Sequence, residues 1–334
     1  MHPSFDLGFT TLPAYFTLLM VGITAGILLA HREGLRRGMD GNTILDLGLL
    51  MMVCGLAGAR ILHVLADGHF WDYVHLCTDP GQLKGLALGG GRSCASDAQC
   101  LSAGLGDLCD QATGLCRQQR DCLRAFKIWY GGYVFYGGLL LCVPVGLWFL
   151  NRRKMQMWDV ADLAGWAVPF GLILGRMGCF LAGCCFGGVT DGPTGVAFPR
   201  FSPAWSRHVH DHVIPTAAAQ SLHVHPTQLY EALAAAIIFA LGYWRYRRRR
   251  HFRGELFFQF LALYAIFRIL VEFIRADDRG EWLWGMATTS QLVSLPALLW
   301  AGWVFWRGRA WPLPPEDDHP GGAADEDSSI DQGA

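Results

Sequence analysis

Runs of apolar residues long enough to be read as membrane-crossing α-helices recur seven times along this chain, and a crossing takes roughly 20 residues for about 30 Å of hydrocarbon. They lie near Phe9–Ala30, Ile44–Leu65, Tyr133–Leu150, Ala161–Phe180, Leu229–Trp244, Leu256–Ile274 and Leu292–Trp306. Composition agrees: 52% of the 334 residues are hydrophobic and only 16% charged, with 13 Trp and 20 Phe, too apolar for an ordinary soluble domain. Residues Met1 to Thr11 lack the basic segment and small-residue cleavage site of a signal peptide, so the first run is expected to stay in the mature protein. The expected fold class is an all-α integral membrane protein with about seven transmembrane helices.

Positive charge gathers after the odd-numbered runs, and this sets an orientation. Arg32, Arg36 and Arg37 follow the first, Arg152, Arg153 and Lys154 the third, Arg245 with Arg247 to Arg250 the fifth, and Arg307 and Arg309 the seventh. Loops rich in Lys and Arg stay in the cytoplasm, which puts the N-terminus outside and the C-terminus inside. The expected organisation is two helices in residues 1–76, a cysteine-rich extracytoplasmic insert at 77–125, five helices with the catalytic core at 126–310, and a tail at 311–334. That tail is rich in Pro, Gly and acidic residues, too poor in apolar surface to offset the entropy of ordering, and is read as disordered and cytoplasmic. GxxxG spacings at Gly171–Gly175 and Gly183–Gly187 would allow close helix contact.

Six of the 11 cysteines, Cys77, Cys94, Cys100, Cys109, Cys116 and Cys122, fall in the insert. An even set in an oxidising compartment reads as a disulfide framework, whose fifteen pairings the sequence leaves open. Zinc is disfavoured because no CxxC pair occurs among the six.

Charges inside apolar runs are expensive and face a cavity or a partner, which singles out Arg60, Arg176, Glu231, Arg268, Glu272 and Arg275. Arg268, Glu272 and Arg275 stand at i, i+4 and i+7 on one helical face, with Glu272 placed to neutralise a neighbour. Arg176, within Gly175-Arg176-Met177-Gly178, offers a planar fork of donors suited to a phosphate. Two readings stay open: an anion site, or Arg–Glu pairs that lock helices together. His225-Pro226-Thr227-Gln228-Leu229-Tyr230-Glu231 opens the fifth helix, where the proline suits a first turn and free N–H groups attract anions. Gly131-Gly132-Tyr133-Val134-Phe135-Tyr136-Gly137-Gly138 enters the third, its glycines permitting close approach of a substrate or another backbone.

In combination these motifs resemble the prolipoprotein diacylglyceryl transferase family of bacterial inner-membrane enzymes. The resemblance rests on Gly58-Ala59-Arg60, Gly132 to Gly138, Gly175 to Gly178, His225 to Glu231, Tyr264 to Arg275, and Ser290-Gln291-Leu292 with Ser294-Leu295-Pro296, in family order across most of the chain. It excludes the insert and the tail, and agrees with the seven-helix, N-terminus-out arrangement. It implies transfer of a diacylglyceryl group from phosphatidylglycerol to the lipobox cysteine thiol of a prolipoprotein signal peptide, on the periplasmic face, forming a thioether and releasing glycerol phosphate. Phosphatidylglycerol, prolipoproteins and membrane lipids are the implied partners, with no nucleic acid and no cofactor or metal. Arg176 and Arg268 match the family's essential arginines, suited to stabilising the departing phosphate. Arg60, Tyr264 and Glu272 match positions that line or brace the cavity, and Gly137, Gly138, Gly178, Tyr230, Glu231 and Arg275 are further substrate-binding candidates.

Two departures stand out. The family commonly has His where this chain has Tyr136, and Asn then Glu after the essential arginine, where this chain has Cys179 and Cys184-Cys185. The thiol base is then His225, Tyr136 in an altered environment, or water in a cationic site. Cys179 with Cys184 or Cys185 is expected as a disulfide; buried packing or a covalent cysteine intermediate are the other readings. Alternative functions are a relative that serves a different acceptor, and a transporter or receptor that binds an anionic lipid without turnover.

Overall fold

A computed structural model describes residues 4–6, 11–66, 70–83, 85, 93–102, 107–126, 133–248, 250–275, 281–282 and 287–308. Phe9, Gly131, Gly132 and the 311–334 tail lie outside the described residues. The helices are α1 (Ala14–Leu35), α2 (Gly41–Ala66), α3 (Phe70–Thr78), α4 (Asp97–Ser102), α5 (Phe135–Arg152), α6 (Met157–Ala182), α7 (Pro203–His210), α8 (Thr227–Arg248), α9 (Glu255–Glu272) and α10 (Thr289–Gly308). Three antiparallel strand pairs accompany them: β1 (Ser4–Asp6) with β2 (Thr11–Pro13), β3 (Leu108–Asp110) with β4 (Leu115–Arg117), and β5 (Glu281–Trp282) with β6 (Ala287–Thr288).

Among the described residues, seven helices run to 18 residues or more, α1, α2, α5, α6, α8, α9 and α10, and each overlaps one of the apolar runs. Four stretches, Ala14–Leu35, Gly41–Leu65, Phe135–Arg152 and Met157–Ala182, are long and apolar enough to cross a membrane. Charges dilute the apolar character of α8 and α9, yet Glu231, Arg268 and Glu272 are buried. On α8, Leu233, Ile237, Leu241 and Trp244 form an exposed stripe at helical spacing. Polar residues inside and apolar residues outside reverse the pattern of a water-soluble helix and match a hydrocarbon surround.

Local chemistry sets the helix ends. Pro13 precedes α1, Gly183 stops α6 in the left-handed region (φ 73), and Gly254 at φ 89 starts α9. α1 runs past the expected Ala30 to Leu35 and α6 begins before the expected Ala161 at Met157, because the added turns carry polar side chains with partners, Glu33 on α1 and Asp159 on α6. Glu33 on α1 accepts from Arg36 at 2.7 Å and from Tyr243 Oη at 3.0 Å.

The chain divides into two compact units, residues 1–46 with 153–334, and residues 47–152. In the first, α6 packs against α1, α8 and α9, and α9 packs against α10. Small residues bring α1 and α6 close. A Cβ on Gly22 would meet Gly171 O at 3.0 Å, and one on Gly178 would meet Tyr15 Cα at 3.0 Å. Gly171 therefore serves helix packing, whereas Gly183 and Gly187 lie past the end of α6 and mark no helix pair, contrary to the sequence expectation. At the arginine-rich end, buried Asp162 accepts from Arg250 Nη1 at 2.9 Å and from the amides of Gly254 and Leu256 at 2.9 and 2.8 Å. That single carboxylate ties α6 to the α8–α9 turn. Beside it, Ala30, Ile44, Leu163, Trp166, Tyr246 and Leu256 form a core.

In the second unit, α2 and α5 touch backbone to backbone. A Cβ on Gly137 would strike Gly58 O, and one on Gly138 would approach Gly55 O to 2.9 Å. The insert carries three disulfides, Cys77–Cys122, Cys94–Cys109 and Cys100–Cys116. Cys109 and Cys116 face one another across β3–β4, and each is bonded to a cysteine of the preceding segment, so the hairpin is stapled to α4 and its approach. Buried Arg60 donates to the carbonyls of Ala125 and Arg124, both at 2.8 Å, and lies over the Tyr73 ring.

Candidate active site

The site is built where the C-terminal end of α6, the N-terminal end of α8 and the C-terminal end of α9 meet. Gly187 marks the convergence: its N–H donates to His225 O at 2.9 Å, and a Cβ there would lie within 3.0 Å of Thr227, His225 and Ile274 O. Gly188 N–H donates to Ile274 O at 2.8 Å, and His225 N–H returns to Gly188 O at 3.0 Å. Below these strands the side chains of Thr227 and Gln228, both fully buried, donate to Cys185 O at 2.7 Å and Cys184 O at 2.6 Å. The α8 motif thus fixes the chain that leaves α6.

Glu231, one turn into α8, carries the electrostatics. Its Oε1 accepts from Arg275 Nη1 in a short bond, and its Oε2 lies 2.6 Å from Arg176 Nη2. The second contact is close but poorly aligned for donation, since Oε2 has no directed hydrogen-bond donor among the described residues. One carboxylate therefore joins α6, α8 and the end of α9. One turn back along α9, Arg268 Nη2 donates to Ser290 Oγ at 2.6 Å and sits 3.0 Å from Glu272 Oε2. Its Nη1 is buried without an acceptor among the described residues. Three guanidinium groups and two carboxylates leave one net positive charge. Of the three, Arg176 is the most open, with 18% of its side chain exposed against 2% for Arg275 and 8% for Arg268.

Several expected residues join this cluster. Tyr264, one turn before Arg268, lies within electrostatic reach of Arg176. Tyr230 Oη donates to Thr194 Oγ1 at 2.8 Å and stands 3.3 Å from His225 Nδ1. His225 Nδ1 shares that contact with the phenol, donor or acceptor according to the imidazole tautomer. Of the two open readings, helix locking describes Arg275, which is bound to Glu231, and Arg268 keeps a buried Nη1 without an acceptor among the described residues. Glu272 neutralises Arg268, and Arg275 turns instead to Glu231 on another helix.

Other expected residues take different places. Gly178 faces the α1 backbone, Gly137 and Gly138 face α2, and Arg60 braces the turn at Arg124–Phe126, so each has a packing role. Tyr136 stands in the first turn of α5, edge-on to Phe135. Cys179, Cys184 and Cys185 correct the expected disulfide: all three are free thiols, with sulfurs within 4.8 Å of one another. The turn at Gly183 gathers them without joining any two. Hydrogen bonds from Cys179 and Cys184, with the charges of Arg176 and Arg275, push the Cys185 thiol down, while bonds to Cys179 and Cys185 and burial push Cys184 up. Tyr15, beside the thiols, and Thr194 were missed by sequence reasoning, since neither sits in a motif or breaks an apolar pattern.

The family model described as prolipoprotein diacylglyceryl transferase matches residues 3–93 and 115–307. The gap, 94–114, holds Cys94, Cys100 and Cys109, so the stretch outside the match is shorter than the expected 77–125 insert. The phosphatidylglycerol–prolipoprotein diacylglyceryl transferase of Xylella fastidiosa (strain M23) is 34% identical over 198 residues, 55% of this chain and 65% of the relative. That of Stenotrophomonas maltophilia (strain R551-3) is 35% identical over 189 residues, 53% of this chain and 61% of the relative. That of Vibrio atlanticus (strain LGP32) is 36% identical over 194 residues, 56% of this chain and 64% of the relative. The matched segment spans a little under two-thirds of the length of these relatives. Since the family match takes in nearly all of the described helices and every residue of the arginine–carboxylate cluster, the chain belongs to the prolipoprotein diacylglyceryl transferase family.

Proposed function

We propose that this protein transfers the diacylglyceryl group of phosphatidylglycerol to the lipobox cysteine thiol of prolipoproteins, the first step of lipoprotein maturation. The observation that carries the reading is the cluster of Arg176, Arg268 and Arg275 with Glu231 and Glu272, whose single net positive charge matches a phosphodiester monoanion. Arg176 is placed to take the phosphate on its open side, and Arg268 offers its unsatisfied Nη1. In the transfer the thiolate sulfur attacks the glyceryl carbon, the C–O bond to phosphate breaks, a C–S bond forms, and the negative charge departs on glycerol phosphate. Donors aimed at that departing charge are the main source of acceleration in such a step. His225 Nε2 takes the thiol proton, supported by the Tyr230–Thr194 hydrogen bonds that hold the ring.

The protein sits in the bacterial inner membrane as seven spans, N-terminus outside and C-terminus cytoplasmic, with the site facing the periplasm. Support comes from the arginine clusters after odd-numbered spans, the exposed apolar stripe of α8, and disulfides in the insert between the second and third spans. Residues 126–310 then hold the transferase core.

The test is incubation of the purified protein with radiolabelled phosphatidylglycerol and a lipobox peptide, with a Cys→Ser peptide as control. Label should pass only to the thiol peptide, and Arg176→Ala should abolish it. Phosphatidylglycerol binding with no labelled peptide would refute the transferase reading in favour of a lipid receptor or a different acceptor.

A further inference from the structure

The proposed transfer does not use Cys179, Cys184 and Cys185, yet the fold builds a place for them. Cys179 lies on the last turns of α6. Gly183 in the left-handed region reverses the chain, and Cys185 itself adopts φ 61, a conformation that L side chains other than Asn and Asp rarely take. That backbone is held by the fully buried Thr227 and Gln228, whose side chains donate to the carbonyls of Cys185 and Cys184. The result is three sulfurs from two segments, each within 4.8 Å of the others. The other close sulfur group, Cys94, Cys100 and Cys109, is different in kind, because all its members are spent in disulfides.

We propose that Cys179, Cys184 and Cys185 form a three-thiolate site for Cu(I), separate from the transfer reaction. Soft thiolates select soft ions, and three sulfurs around one ion at about 2.3 Å stand about 4 Å apart, a contraction of under an ångström from the arrangement here. Among the described residues the group has no fourth His, Cys, Asp or Glu, which suits a three-coordinate ion better than tetrahedral zinc. Cys179 is buried while Cys184 and Cys185 are partly exposed, so the sulfur group is reached from the side of these two. Three thiolates around Cu(I) carry a net charge of minus two, which the neighbouring Arg176 and Arg275, already shared with Glu231, offset in part.

The test uses the full chain in detergent, disulfides intact, handled without oxygen and titrated with Cu(I) against bathocuproine disulfonate. One equivalent should leave the chelator for the protein. Cys184→Ser and Cys185→Ser should each lose it, Cys54→Ser should keep it, and Thr227→Val, which frees the Cys185 carbonyl, should weaken it about 10-fold or more. Uptake is read directly, so its failure is distinct from a failure of transfer. No Cu(I) uptake, full uptake by both serine variants, or mass spectrometry showing two of the three cysteines already joined as a disulfide would each overturn the assignment.

Discussion

Replacing Glu231 by Gln removes one negative charge and almost no volume, and the structure sets its consequence. The carboxylate is 2% exposed, hydrogen-bonded to an arginine that is itself 2% exposed, and 2.6 Å from the guanidinium of Arg176. Substitution leaves two guanidinium groups without their shared counter-charge, and breaking a buried pair from one side costs about 3–5 kcal/mol. An exposed pair would cost no more than about 1 kcal/mol. Unfolding in mixed micelles should therefore place Glu231→Gln about 3–5 kcal/mol below the wild type. Adding Arg275→Gln should recover part of the loss, because the more deeply buried charge goes with it, and the non-additivity of the double variant measures the coupling. A loss under about 1 kcal/mol, or strict additivity, would refute the view that one buried carboxylate holds the ends of three helices together.

Three further outcomes follow from particular contacts. Arg268→Lys keeps the charge but not the second nitrogen, Nη1, that the planar fork presents while Nη2 is held by Ser290 and Glu272, so labelled-lipid transfer should fall about 10²–10³-fold, and near-normal transfer would rule out bidentate use of that side chain. Burial holds His208 below its ordinary value near 6.5, with Nδ1 accepting from Leu222 N–H at 3.2 Å. The unfolded chain takes up that proton first, so the stability is present above about 6.5 and is lost as pH falls through the depressed folded value. Hydrogen exchange at Leu222, corrected for its intrinsic pH dependence, should speed up on acidification, and not in His208→Gln. Cys77→Ser with Cys122→Ser opens a loop of 45 residues, which should cost about 4 kcal/mol and expose the insert to protease; unchanged proteolysis would show that the bridge constrains nothing.

Much of this was legible in the sequence because a membrane simplifies the code. Apolar length located all seven long helices, and a charge within such a run marks itself, which is how Arg176, Glu231, Arg268, Glu272 and Arg275 came forward. Pairing was not legible. Arg275 and Glu272 share a helical face, but Arg275 chooses Glu231 from another helix, a choice made by tertiary packing. The glycines show the same limit. A glycine says that something approaches closely without saying what, and at Gly137, Gly138 and Gly178 it is the backbone of a neighbouring helix rather than a substrate. The disulfide pattern also depended on the fold, since only the β3–β4 hairpin places Cys109 and Cys116 side by side with different partners.

In the proposed transfer the three arginines divide the work according to how exposed each is. Arg275 is enclosed and its Nη1 is committed to Glu231, so it positions: it fixes the carboxylate that in turn holds Arg176. Arg176 touches Glu231 with Nη2 and is the most exposed of the three, which in the proposed transfer makes it the group to turn to a phosphate. Arg268 stands between these roles, anchored by Ser290 and Glu272 yet carrying a buried N–H with no acceptor among the described residues, a group that is costly to leave unsatisfied and that an anionic oxygen would relieve. Glu231 is then a competitor as well as a brace. In the proposed transfer a monoanionic headgroup that draws Arg176 away exchanges one anionic partner for another, while the aligned bond to Arg275 keeps the carboxylate in place.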